Sequence, residues 1–373
     1  LGGCPRVVVI EPNSEIEKTN FKIQHTMKTQ ILALMLLLLS LSTAFAQQDS
    51  LKKNELVFYS FIVNRTPDNF NIPLIGFVNI ANGNHNSAEV GFVNYTNGNF
   101  TGGQISFINT VAKNCTGSQI GFVNTTVKKM KGAQIGFVNN TLGDFLGSQV
   151  GFVNTSAKKS DNIQIGFVNT CGDSLRGAQI GFVNTSLKRT VAPQIGFVNM
   201  AKSLKGTQIG FVNFVDSIES GVPLGFLSIV RKGGYHAIEL SVNEMYPLNL
   251  SYKIGIPELY TSFVISYNPK ETKNVAIGAG LGSIIPLGKR LCFNPEFSSQ
   301  TLFFDNFQQY TNFGANIGFK LNEHVMVSAG PSLTYQYNYN SNSYNEPLFS
   351  FSDSNWRNGN FITGARAAVR YKF

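Results

Sequence analysis

The chain has 373 residues, a formal net charge of +9, 43% hydrophobic residues and only 14% charged ones. So few charges, with abundant Gly, Asn, Phe and Thr, fit a β-barrel or a repeat array better than a soluble enzyme. The basic excess alone would admit nucleic acid as a partner. An export signal excludes that and leaves outer-membrane lipid or lipopolysaccharide, a surface polysaccharide or another protein.

Residues 1–26 precede a normal start at Met27 and read as a mis-called start. Residues 27–46 form a secretory signal: Lys28, an apolar stretch from Ile31 to Leu39, and the small-x-small site Ala44-Phe45-Ala46. Residue 47 is Gln, not Cys, so a lipoprotein signal does not fit. The lead-in 47–73 holds a first strand from Leu56 to Val63. Beyond the signal, no apolar run reaches the ~20 residues of a membrane helix. Any membrane contact must be made by strands or at the surface.

Residues 74–229 carry eleven copies of Gln-Ile-Gly-Phe-Val-Asn, fifteen residues apart except for a fourteen-residue step from Gly196 to Gly210. Ser106 replaces the central glycine once, and Leu74 and Glu89 replace the Gln. Such a unit buries its apolar side against its neighbours in the array rather than against a separate core. Within it, Ile and Phe share an alternation face with Asn. Two architectures fit. In an antiparallel meander each unit is one strand and a turn, long enough to cross a membrane. In a parallel β-solenoid each unit is one coil, with like residues stacked in ladders.

Two signals pull apart here. Basic pairs Lys128-Lys129, Lys158-Lys159 and Lys188-Arg189 alternate with Gly143-Asp144 and Gly172-Asp173. A thirty-residue super-period favours the meander, whose alternate turns lie at opposite ends. Pro73, Pro193 and Pro223 at the strand starts favour short strands and the solenoid. The meander is the leading expectation, and its Lys-rich turns would make a basic rim.

The passage from Gly221 to His236 reads as a hinge into the region 230–373, where the period is lost. Strand signals continue at 236–244, 247–256, 258–267, 274–284, 290–304, 310–321, 324–338 and 361–373, and 339–359 reads as a long exposed loop. The last strand puts Phe361, Ala365, Val369, Tyr371 and Phe373 on one face and Arg366, Arg370 and Lys372 on the other. Lipid outside and a wet lumen inside produce that pattern, and the terminal Phe fits an outer-membrane barrel. If the repeats extend the barrel, it has about twenty strands and an aqueous lumen.

Catalytic patterns are missing. His85, His236 and His324 stand far apart, and Cys115, Cys171 and Cys292 show no metal spacing and read as buried thiols. Gly278, Gly280 and Gly282 lack the helix a dinucleotide loop needs. Asn124, Asn154 and Asn184 match a glycosylation pattern but fall inside the repeat consensus, where Asn and Gln can form ladders.

The repeated Gly-(Ala/Ser)-Gln-Ile-Gly-Phe-Val-Asn-Thr resembles a bacterial surface-repeat family named from leptospiral members and also found in Bacteroidetes. The resemblance spans 74–229, and Pro223–Ile229 with Gly233–Glu239 resembles the continuation in the Bacteroidetes members. It implies a surface location and carries no catalytic residues. The expectation is an all-β, Gram-negative outer-membrane protein without enzyme activity or cofactor, acting as a scaffold or interaction surface. The alternative is a passive channel with a mild anion preference.

Overall fold

Each repeat pairs with the next in parallel, in register at fifteen residues: Gln134 opposite Gln149, Val138 opposite Val153, Asn139 opposite Asn154. The structure, a computed structural model, describes residues 59–269, 275–302, 308–338, 346–356 and 359–373. The expected mis-called start, the signal and residues 47–58 lie outside the described residues. Parallel pairing settles the repeats as a β-solenoid, so the meander is corrected.

A typical coil has two short strands, as in Met130–Ile135 and Val138–Thr141, separated by a bend at Gly136-Phe137. Gly sits in the bend because the preceding coil's glycine carbonyl occupies the space a Cβ would need, as Gly151 does at Gly166. The fourteen-residue step is absorbed at the opposite corner, where the register shifts between Ser186 and Arg189. The first described strand is Val63–Thr66; of the expected strand from Leu56 to Val63, residues 59–62 are not strand and residues 56–58 lie outside the described residues. The last strand is Val222–Lys232, so the expected hinge shrinks to Gly233-Gly234, with Gly233 at a φ of 81°.

The solenoid is polar inside. Gln134, Asn139 and Thr141 are buried, as are their counterparts along the array. Ile135 and Phe137 face outward. Simple alternation puts Ile, Phe and Asn on one face, but the bend at Gly-Phe turns the chain and sends Asn inward. Apolar filling comes from a less regular column, Phe100, Cys115, Met130 and Phe145, which the hexapeptide does not include.

From Tyr235 the chain forms eight antiparallel strands: Tyr235–Val242, Leu248–Ile256, Leu259–Tyr267, Val275–Gly282, Leu291–Leu302, Gln308–Lys320, Val325–Asn338 and Gly359–Lys372. The last pairs with the first, from Ala237 opposite Lys372 to Val242 opposite Ala367, and closes a barrel. Part of the expected loop 339–359 is the short strand Ser352–Trp356, paired with Gly359–Lys372. Residues 339–345 and 357–358 lie outside the described residues.

The two parts meet end to side. Ile256 packs with Leu204, Val215 and Val230 of the last coils, and Leu259 packs against the same cluster. The Thr261 hydroxyl donates to the Phe226 carbonyl, and the His236 ring lies 2.7 Å from the Val230 carbonyl. A solenoid end is an open edge that invites pairing. Here the barrel covers it.

Candidate functional site

Inside the solenoid two amide ladders run in opposite directions. From Asn79 to Asn184 the Asn Nδ2 donates to the next coil's Asn Oδ1, as Asn139 does to Asn154 at 2.9 Å, and to a carbonyl eleven residues on. Each Gln Nε2 donates to the preceding coil, as Gln149 does to Gln134 at 2.8 Å. The glycosylation-like Asn124, Asn154 and Asn184 are buried members of the Asn ladder.

The Gln ladder needs an acceptor at its N-terminal end, and Glu89 provides it. Gln104 Nε2 donates to Glu89 Oε2 at 2.6 Å and the Thr96 hydroxyl to Oε1 at 2.8 Å. His85 Nδ1 lies 2.7 Å from Glu89, and its Nε2 lies 3.0 Å from the Ile72 carbonyl. Two acceptors on one ring favour the imidazolium. Burial pushes the His85 pKa down, but the Glu89 hydrogen bond and the Ile72 carbonyl outweigh it and raise the value. Sequence reading treated Glu89 as a mild departure from the consensus and His85 as a lone histidine. The signal for both was a Glu in a Gln column with a His four residues before it.

The outer surface has two unlike corners. At one, Phe77 to Phe226 stack from coil to coil, with centroids 4.9–5.1 Å apart and near-parallel rings. The rings are 38–57% exposed, and an equally exposed ladder of Ile, Val and Leu runs beside them. The opposite corner is charged. Lys128, Lys129, Lys158, Lys159, Lys188 and Arg189 all lie there, exposed.

Because the coils stack in parallel, these six residues lie in a column along the corner. The thirty-residue super-period has another cause. Corner residues of adjacent coils stand ~4.8 Å apart, so stacked like charges repel and alternating ones attract. Lys188 pairs with Asp173 at 2.9 Å and Arg189 with Glu219 at 2.6 Å across two coils. Arg189 and the Ser203 hydroxyl pull the Glu219 carboxyl down to about 2. Burial pushes the thiols of Cys115 and Cys171 up to about 12 and about 11.

The barrel interior brings Arg366 and Arg370 together with groups that sequence reading did not select. Arg370 lies 2.6 Å from Glu239 and 2.9 Å from Glu296, Arg366 bridges the same two carboxylates, and Lys253 pairs with both. Tyr260, Tyr235 and Asn294 complete the hydrogen bonding. All five charged groups are about nine-tenths buried or more. Eight strands leave an interior that side chains fill, so the twenty-strand aqueous lumen is corrected. Lys372 stands outside this cluster, exposed at the strand's end. A second polar group lies toward the far end, where Ser332, Thr334 and Asn312 donate to the buried Glu244. Among the described residues, no group of three or more His, Cys, Asp or Glu is placed to hold a metal.

No protein-family model matches the chain, and no curated protein matches it. Among solved structures the chain is similar to Neisserial surface protein A, at 13% identity over 38% of this chain and 94% of that one, with a TM-score of 0.21. The surface-repeat resemblance therefore stands on the hexapeptides themselves.

Proposed function

We propose that the chain is a non-catalytic outer-membrane protein whose eight-stranded barrel anchors a β-solenoid that serves as a scaffold or interaction surface. One observation carries this reading: every barrel strand presents apolar side chains outward over a charged interior. Ile238, Leu250, Phe263, Ile277, Phe297, Phe313, Leu333 and Val369, one from each strand, are 39–54% exposed. Exposure of apolar groups on all sides is costly in water, and a closed barrel in lipid relieves it. The buried charges are tied to one another rather than aimed into a cleft, which supports a structural role over catalysis. Outer-membrane lipid is then the barrel's surrounding partner.

The anchor also has a direction. The solenoid enters the barrel at Tyr235, and the chain ends at Phe373 beside His236. The connections 257–258, 283–290 and 321–324 share that end, while the longest, between Asn338 and Gly359, lies at the other. In outer-membrane barrels short turns face the periplasm and long loops face outward. By this reading the solenoid hangs on the periplasmic side, and the surface location implied by the repeat family falls to the loops.

The test is fractionation with proteolysis. The full chain is expected in the outer membrane, with a barrel that runs differently on a denaturing gel before and after boiling. Trypsin is expected to reach Lys128 and Lys158 only after the outer membrane is permeabilised. Recovery as a soluble periplasmic protein contradicts the anchor. Cleavage at these lysines in intact cells contradicts the orientation alone.

A further inference from the structure

At the charged corner Lys188–Asp173, Arg189–Glu219 and Arg231–Asp216 pair between coils, whereas the opposite corner is an apolar strip. The Phe rings alone expose on the order of 1,000 Å², taking ~200 Å² per aromatic side chain. Soluble monomers rarely expose contiguous apolar patches beyond a few hundred Å². The strip is narrow. On the strand before the Ile ladder, Lys131, Asp161 and Arg176 are exposed on the same face, four residues or ~13 Å away. On the far side the half-buried Thr125, Thr155 and Thr185 form the border in the middle coils, and the exposed Met200 and Phe214 continue the apolar surface in the later ones. An apolar band between polar margins has the anatomy of a protein interface. It is too narrow to sink into hydrocarbon without dragging those charges along.

We propose that this strip pairs with the same strip of a second copy of the chain, giving a two-fold dimer of solenoids. Three features select that occupant. The rings repeat at 4.9–5.1 Å along the whole array, and a second copy repeats at the same interval, so the match does not drift with length. The strip itself carries no charge, so two positively charged chains meet there without like-charge contact. The exposed area exceeds the ~800 Å² per partner of a standard stable interface. A two-fold axis along the solenoid sets each coil against its counterpart, as a self-complementary contact requires. The pairing follows from the solenoid alone and holds whether or not the barrel lies in a membrane.

The test uses the full chain in detergent, with mass measured by light scattering, and in membranes, with disulfide cross-linking. The wild-type protein is expected at the mass of two chains. The double variant Phe137→Lys, Phe167→Lys is expected at the mass of one. Its circular dichroism should be unchanged, because these rings lie outside the coils. Phe152→Cys is expected to form a cross-linked dimer on oxidation, and Lys158→Cys, at the other corner, is not. The native Cys115, Cys171 and Cys292 are buried and should stay silent. A single-chain mass together with no cross-link at Phe152→Cys overturns the pairing, as does a dimer that survives both lysine substitutions. A label at position 152 that is shielded only when lipid is added gives the strip to the bilayer and also overturns it.

Discussion

The solenoid and the barrel invert the usual arrangement of a soluble protein in two different ways. Both put polar groups inside and apolar groups outside. The barrel does so around its whole girth, with a core of five buried charges. The solenoid does so along one corner only, with neutral amides inside and paired charges on the other corner. An apolar girdle calls for an apolar solvent, whereas an apolar strip bordered by charge calls for a partner. Interior polarity differs for a related reason. Ladders of identical amides satisfy themselves between their ends, where Glu89 closes the Gln ladder, but eight unlike strands need a specific set of charges that closes on itself.

The largest effect should come from breaking the barrel core. Arg370→Met leaves Glu239 and Glu296 short of a partner, and loss of one member of a buried ion pair costs about 3–5 kcal/mol. The barrel of this variant should unfold at clearly lower denaturant, seen as loss of its heat-dependent gel mobility, while the solenoid's unfolding stays in place. Equal loss in both parts would show that they fold as one unit.

The next contrast lies within the solenoid. Phe145 is buried and Phe152 is an outer ring. Phe145→Ala should cost about 3–5 kcal/mol as a buried aromatic truncation. Phe152→Ala should cost only the stacking, about 0.5–1.5 kcal/mol. Between them falls Gln149→Leu, which removes the hydrogen bonds to Gln134 Oε1 and from Gln164 Nε2, leaving each with its threonine partner, at about 1–3 kcal/mol for the two bonds. Chemical unfolding of the three variants should rank them Phe145, Gln149, Phe152. A reversed order would mean that the outer rings, not the interior, hold the coils together.

The smallest effect is a pH dependence confined to the first coils. The folded pKa of His85 is raised above 6.5. Its stabilisation is therefore fully present below 6.5 and lost as pH rises through the raised folded value. Amide exchange near Glu89 should quicken over that range, and His85→Gln should abolish the dependence. The same trend in His85→Gln would assign it to another group.

Much of this was legible in the residues. The eight later strands were found nearly to their ends, because alternation of apolar and polar faces is a period-two signal that strand geometry imposes directly. The last strand also gave the facing of Arg366 and Arg370. Its partners Glu239 and Glu296, and the Lys253 that shares them, were missed because each sits alone in its own strand, and only barrel closure brings them together. The repeat gave the coil length but not the pairing, since a fifteen-residue unit suits either architecture. The alternating Lys and Asp suit turns at opposite ends of a meander. They suit stacking of like positions as well. The inward turn of Asn139 was hidden for the same reason that Phe137 faces out: the bend at Gly136 breaks the alternation, and a glycine inside an alternating run also suits an unbroken strand.

The most direct test sets the two apolar surfaces against each other in one sample. Environment-sensitive labels would be placed at Phe313→Cys on the barrel and at Phe152→Cys on the solenoid, in vesicles containing brominated acyl chains. Bromine should quench the label at 313 strongly and leave the label at 152 near its value in lipid without bromine. Equal quenching at both would put the solenoid in the bilayer, and no quenching at 313 would take the barrel out of it.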